Sequence, residues 1–205
     1  MRILSAQINP TIGDIAENRQ KILQTISKGK KLGVDLVVFP ELCLCGYPPE
    51  DLLLLGHFID GLEKALQSIV TETKGITAII GTVRRNQGQG EKPLYNSAAV
   101  ASDGMLLGFQ DKVLLPTYDV FDERRFFEPS NKIGLWSIAD KRVAITICED
   151  IWQHSALLKY SSYVRDPVQE IAAMHPDVVV NLSASPFSVE KFSNRLQVCS
   201  IAAAA

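Results

Sequence analysis

The sequence predicts one α/β domain whose sheet is partly antiparallel. Three observations predict it. Helical and strand-like patterns alternate at the start of the chain and again near its end. Several strand-like runs are unbroken and rich in β-branched residues, as expected of strands covered on both faces. Between the two alternating parts lie short strands separated by turns, which read as hairpins.

Taken in order, residues 3–9 read as a strand closed by Pro10 and the turn TIGD. A helix follows. Asp14 suits its N-cap and Glu17 stands three residues on, as in a capping box. Ile15, Ile22 and Ile26 share one face. Lys28, Lys30 and Lys31 fall towards its end and Gly33 stops it. Residues 34–39, VDLVVF, form a buried strand. A second helix is expected over 58–74, where Phe58, Leu62, Ala65, Leu66 and Ile69 keep helical spacing and Gly75 ends the run. The runs TAIIGTVR, NSAAVASDG and MLLGFQDKV are strands, the first two parted by the polar loop NQGQGEKP. Asp103-Gly104 is a hairpin turn. Residues 116–131, rich in turn formers and charge, read as a long loop. IGLWSI and RVAITIC are strands joined by a turn at 139–141; a helix over 164–174, the strand DVVVNLSAS and a last helix from Val189 follow. The helix–strand pattern breaks off at the terminal AAAA, so the chain reads as C-terminally truncated.

With 205 residues, 46% of them hydrophobic, the chain can bury one sizeable core. A formal net charge of −2, with Lys and Arg spread along the chain, argues against nucleic acid or an anionic membrane as partner. The opening MRILSAQINP lacks the basic and apolar regions of a secretory signal, and no run approaches the roughly 20 apolar residues of a membrane span. A cytoplasmic protein is expected. Of the four cysteines, Cys43 and Cys45 form a C-x-C pair without the second pair or histidines a zinc site needs, so they read as small buried hydrophobes. No Gly-rich phosphate loop, His–carboxylate cluster or serine elbow occurs. Neither a metal nor a nucleotide cofactor is expected in this chain.

Three residues share one feature. Glu41 follows the run VVFP, Lys112 lies at the end of MLLGFQ, and Cys148 ends VAITI. Ligands of α/β sheets gather beyond the carboxyl ends of strands, so reactive side chains there are candidates. Cys148 suits a nucleophile, provided a base takes its proton and a cation offsets the acidic neighbours Glu149 and Asp150. Glu41 suits the base and Lys112 an oxyanion-stabilising cation. The competing readings are a small core cysteine, a glutamate capping the sheet edge and a solvated strand-end lysine. His57, His154 and His175 lie in stretches without pattern, which leaves a Cys–His pair unsupported and favours Glu41 as base.

The stretches FPELCLCGYPPEDLLL, FQDKVLLPTYDVFDERRFFEPS and ITICEDIW together resemble the nitrilase, or carbon–nitrogen hydrolase, superfamily. Their variants GYPPEDLLL, YDVFDERRFFEP and ICEDIW are most similar to the amide-hydrolysing domains of glutamine-dependent NAD+ synthetases, as are RILSAQINPTIGDIAENRQKI and NLSASPF. The resemblance covers essentially the whole chain, and each of the three motifs carries one member of a Glu-Lys-Cys triad. It implies a four-layer α-β-β-α sandwich over residues 1–205 and hydrolysis of the glutamine side-chain amide. Cys148 would attack, Glu41 would move the proton, and Lys112 with the Glu149 N–H would hold the oxyanion. It further implies that Glu123 positions the site, and that Tyr47, Glu149, Ser185 and Lys191 hold the amino-acid end of glutamine. The ammonia would pass to a C-terminal synthetase domain, which would use ATP and Mg to convert deamido-NAD to NAD+. That domain's Ser-Gly-Gly-type motif does not occur here. A homo-oligomer is implied as well. The alternative is a stand-alone amidase of the same superfamily acting on another small amide.

Overall fold

Two β-sheets lie face to face between two helical layers. The structure, a computed structural model, describes residues 1–88, 90–155, 157, 163–187, 189 and 191–205. The larger sheet runs in the order β1 (Ile3–Ser5), β2 (Leu36–Val38), β3 (Thr77–Arg85), β4 (Leu94–Ser102) and β5 (Met105–Asp111). Its first three strands are parallel and its last three antiparallel. α1 (Ile15–Leu32) crosses from β1 to β2, and α2 (Gly56–Val70) from β2 to β3. The smaller sheet contains β6 (Leu135–Ile138), β7 (Lys141–Ile147) and β8 (Val178–Leu182), with β6 antiparallel and β8 parallel to β7. α3 (Pro167–Ala172) precedes β8 and α4 (Lys191–Ala203) follows it.

The strand period of two explains the unbroken apolar runs. Val37, Ala78, Ile80, Ala99 and Ala101 pack with Ile22 and Ile26 of α1 and Leu62, Leu66 and Ile69 of α2. Their neighbours Leu36, Ile79, Ala98 and Val100 pack with Val143, Ile145, Ile147, Val180 and Leu182 of the second sheet. Outside that sheet, Ile151, Val168 and Val198 join it to α3 and α4. The layers therefore run α-β-β-α, as the sequence motifs implied. No helix among the described residues is long and apolar enough to cross a membrane.

Local signals held where the chemistry is local. Asp14 accepts the Glu17 N–H at 2.9 Å, and Gly33 closes α1 at φ +60°. The return bond of a capping box is replaced: the Asp14 N–H goes to the Thr11 carbonyl, and Glu17 pairs with Lys21 at 2.9 Å. Asp103 and Gly104 both take positive φ, as the hairpin needs. Cys43 and Cys45 are fully buried free thiols. Several elements are shorter than the patterns suggested. β2 stops at Val38 because Phe39 gives the last ladder bond, to the Ile79 carbonyl at 2.9 Å, and Pro40 has no N–H to continue. β1, its edge neighbour, ends opposite. α3 starts at Pro167 because Asp166 caps it through the Val168 and Gln169 N–H groups.

Candidate active site

Cys148 is the first residue beyond β7 and opens the helical turn Cys148–Ile151. Its φ is +43°, a left-handed backbone that costs energy for a residue with a β-carbon and recurs at functional sites. Asp150 secures the turn. One of its oxygens accepts from Val113 N (3.1 Å) and Leu114 N (2.8 Å), the other from Ile147 N (2.9 Å). One buried carboxylate thus ties the end of β7 to the segment that follows Lys112. Burial pushes Asp150 up to about 6 against the pull of those N–H groups.

Glu41 follows β2 and Pro40 on a loop that crosses β3 at Gly81. A β-carbon at Gly81 would stand 2.1 Å from the Pro40 carbonyl oxygen and 2.5 Å from the Leu42 nitrogen. Only glycine lets this loop lie so close to the sheet. Gly81→Ala is expected to cost about 1–3 kcal/mol, typical of overpacking, and to displace Glu41 enough to cut turnover at least tenfold, roughly 1.4 kcal/mol of barrier. Thermal unfolding and amide-hydrolysis rates check both; wild-type values would refute the role of this crossing.

Lys112 lies one residue past β5, its N–H held by the Asn96 carbonyl at 2.8 Å. Its side chain is 1% exposed. Nζ donates to Glu41 Oε1 (2.7 Å) and to Glu123 Oε1 (2.8 Å). Glu123 opens a short turn inside the long loop, and Tyr47 Oη donates to its Oε1 at 2.9 Å. Asn96 Nδ2 reaches both carboxylates, at 2.9 Å on Glu41 Oε1 and 3.4 Å on Glu123 Oε2. Glu41 Oε2 accepts the Ala184 N–H at 3.2 Å.

Counting donors and lone pairs shows what this network leaves open. An ammonium has three N–H donors, and among the described residues Lys112 uses two, both on the carboxylates, so one remains there. Among the described residues, Glu41 Oε1 is filled by Lys112 and Asn96, while Oε2 holds one donor, Ala184 N–H, and keeps one lone pair. Burial opposes the Lys112 charge, but Glu123 and Glu41 together outweigh it and hold its pKa well above the ordinary value. Burial likewise pushes Glu123 up to about 7, with Lys112 pulling the other way. The Cys148 thiol is pushed up to about 12, by burial first and by Glu41 second, against Lys112. At neutral pH the sulfur is a thiol that needs a base. Ser183 Oγ donates to it at 3.8 Å, and Ser185 Oγ lies 3.7 Å away.

The adjacent acids act otherwise than expected. Asp150 is spent on backbone N–H groups. Glu149 accepts from Tyr118 Oη (2.7 Å) and Tyr163 Oη (3.1 Å), and burial raises its pKa despite both hydroxyls. The thiol is therefore raised by burial and by Glu41, not by its chain neighbours. Two cavities flank the network. One of about 450 Å³ is lined by Glu41, Tyr47, Asn181, Ser183 and Arg195. A smaller one of about 200 Å³ is lined by Tyr47, Phe121, Glu123 and Phe126. Among the described residues no group of three or more His, Cys, Asp and Glu could hold a metal ion.

The sequence pattern of the carbon–nitrogen hydrolase family matches residues 2–163. This chain belongs to the carbon–nitrogen hydrolase family. Glutamine-dependent NAD(+) synthetase of Synechocystis sp. is 42% identical to this chain over 193 residues, 92% of the chain and 35% of that protein. The solved glutamine-dependent NAD+ synthetase of Acinetobacter baumannii, in complex with ADP, superposes with a TM-score of 0.85 at 36% identity, covering 97% of this chain and 35% of that one. An amidase from Nesterenkonia sp. AN1, with acrylamide added at its active-site cysteine, shares the fold at a TM-score of 0.74 and 19% identity, covering 94% of this chain and 70% of that one. The chain spans about a third of the length of the synthetases it matches.

Of the residues singled out in the sequence of this carbon–nitrogen hydrolase, Glu41, Tyr47, Lys112 and Glu123 form one hydrogen-bonded network. Cys148 and Ser185 face each other, and Glu149 follows Cys148 with its carboxylate on two tyrosines. Lys191 stands apart: at the start of α4 its Nζ lies 4.4 Å over the Trp152 ring. Sequence reasoning missed Asn96, Ser183, Ala184, Tyr118 and Tyr163. A signal existed for Asn96, an amide side chain inside a strand and just ahead of its small run at 97–101. None existed for Ala184, which acts through its backbone. His154 bonds to Asp166 at 2.7 Å and takes no part in the network.

Glu123 makes a pH prediction. A carboxyl whose pKa is raised on folding adds stability below its unfolded pKa, and that stability is lost as pH rises through the folded value. The Glu123 contribution should therefore fade between about 4.5 and about 7. Glu123→Gln should flatten this decline, so unfolding by urea at pH 5 and pH 8 should differ less in the variant than in wild type. Equal declines would contradict the assignment.

Proposed function

We propose that this domain, residues 1–205, hydrolyses the side-chain amide of glutamine as the glutaminase of a glutamine-dependent NAD+ synthetase. The observation that carries the reading is the open geometry around Cys148. Among the described residues, a buried thiol, a carboxylate with one free lone pair and an ammonium with one free proton interact with one another. These are what acyl transfer from an amide requires. Cys148 Sγ attacks the amide carbon while its proton moves to Glu41. The carbonyl oxygen gains the negative charge, held by the spare Lys112 proton and the Glu149 N–H. Glu41 returns the proton to the departing nitrogen, ammonia leaves, and a thioester forms. A water gives its proton to Glu41 and attacks the thioester, releasing glutamate and restoring the thiol.

Glu149 receives the α-amino group beside the nucleophile, with Tyr47 and Ser185 completing the subsite and Glu123 orienting Lys112. Lys191 is the candidate for the α-carboxylate, a role that takes it off the Trp152 face. The names and close similarity of the relatives support glutamine over other amides. In the same reading the ammonia passes to a synthetase domain that supplies the ATP and Mg chemistry of NAD+ formation, in a homo-oligomeric cytoplasmic protein. The test is ammonia and glutamate release from L-glutamine measured beside asparagine and short aliphatic amides. Preference for glutamine supports the reading. Faster release from an aliphatic amide would replace it with a general amidase.

A further inference from the structure

We propose that Asn96 is a positioning residue that holds the Glu41 carboxylate in its charged form. This rests on reading Glu41 as the base that serves Cys148. Asn96 sits in β4 opposite Val83 of β3, 1% exposed. Its carbonyl holds the Lys112 N–H, and its side-chain amide donates to both carboxylates. Asn96 thus touches both carboxylates through its side chain and Lys112 through its backbone. Its own Oδ1 is buried without a partner among the described residues. A buried amide left half-satisfied is uncommon. Here the orientation is set by its acceptors, since the reverse would aim Oδ1 at two carboxylates.

The two bonds are unequal, 2.9 Å to Glu41 and 3.4 Å to Glu123. Hydrogen bonds to the charged form of a carboxyl favour that form. Glu41 receives Lys112, Asn96 and the Ala184 N–H, whereas Glu123 receives Lys112, Tyr47 and the longer Asn96 bond. The shorter Asn96 bond supports the charged form of Glu41 more than that of Glu123. An amide cannot titrate in the working range, so its donation persists whatever proton Lys112 or the acids exchange during the reaction. The ionisable groups that face the Glu41 carboxyl among the described residues are Lys112 after β5, Glu123, Tyr47 and Cys45 on the flanking loops, and Cys148 and Glu149 after β7.

The test compares wild type with Asn96→Leu, which removes both donors at similar size, and Asn96→Thr, which keeps one. Two pH profiles are recorded in the full chain: kcat/KM for glutamine, and alkylation of Cys148 by iodoacetamide. With the donors gone the carboxylate is less favoured, so the acid limb should move to higher pH. The expected shift is about one unit or more for Asn96→Leu, roughly a tenfold lower rate on that limb, with Asn96→Thr in between and KM little changed. A rate loss of equal size at every pH, or an unmoved limb in both variants, would overturn the proposal. Should Asn96→Leu fail to fold, the Asn96→Thr profile decides alone. Wild-type protein that is alkylated at Cys148 but releases no ammonia from glutamine would refute the substrate reading, and the alkylation profiles would still decide the role of Asn96.

Discussion

Lys112→Met is expected to lower amide hydrolysis by at least about 10²-fold, the usual cost of losing one donor to a developing oxyanion. It is also expected to destabilise the fold by about 3–5 kcal/mol, the cost of breaking a buried ion pair by removing one partner. The reason is geometric. Lys112 is buried between Glu41 and Glu123, and among the described residues it alone is ion-paired to them, through 2.7 and 2.8 Å bonds. Without it two carboxylates share a dry site. Burial then acts on Glu123 without the opposing pull of Lys112, so its carboxyl is pushed higher still. Raised carboxyls stabilise at low pH and lose that contribution as pH rises. The penalty should therefore be small near pH 5 and large at pH 8. Urea unfolding at both values, alongside glutamine turnover, checks it. A variant as stable as wild type at pH 8 would contradict the assigned charges.

Cys148→Ser is expected to reduce glutamine hydrolysis by at least about 10³-fold while the protein stays folded. Serine nearly matches cysteine in size and accepts the same strained backbone at this position. What it lacks is a proton that a carboxylate can remove. The thiol is already pushed up to about 12 by burial and Glu41, and a hydroxyl lies far higher in the same surroundings. Ammonia release within tenfold of wild type would rule out Cys148 as nucleophile. Far-ultraviolet circular dichroism and the melting temperature should be unchanged, which separates lost chemistry from lost structure.

The elements were legible where a local pattern carries them. Apolar periodicity gave both long helices, Asp14 and Gly33 gave the ends of α1, and Asp103-Gly104 gave the hairpin. Glu41, Lys112 and Cys148 stood out as candidates because a polar residue directly after a buried strand has few other reasons to be there. Element lengths were less legible, since they depend on neighbours: β1 ends where β2 does, and β2 ends at Pro40. The second sphere of the site depends on register and on contacts between distant segments. Asn96 reaches Glu41 only because β4 pairs with both β3 and β5, and the Ala184 N–H comes from 143 residues away. The roles of Glu149 and Asp150 could not be read from adjacency to Cys148, because one turns to two tyrosines and the other to three backbone N–H groups. Lys191 shows the same limit, with Trp152 rather than the network as its partner.

The central claim is that Cys148 is the nucleophile and glutamine its substrate. The most direct measurement is peptide mass spectrometry after incubation with an electrophilic glutamine analogue, such as a diazo-ketone, with and without excess glutamine. The account predicts a single adduct on Cys148 that glutamine blocks, with the buried Cys43 and Cys45 and the exposed Cys199 unmodified. Labelling of Cys199 in preference to Cys148, or a Cys148 adduct that glutamine does not prevent, would contradict it.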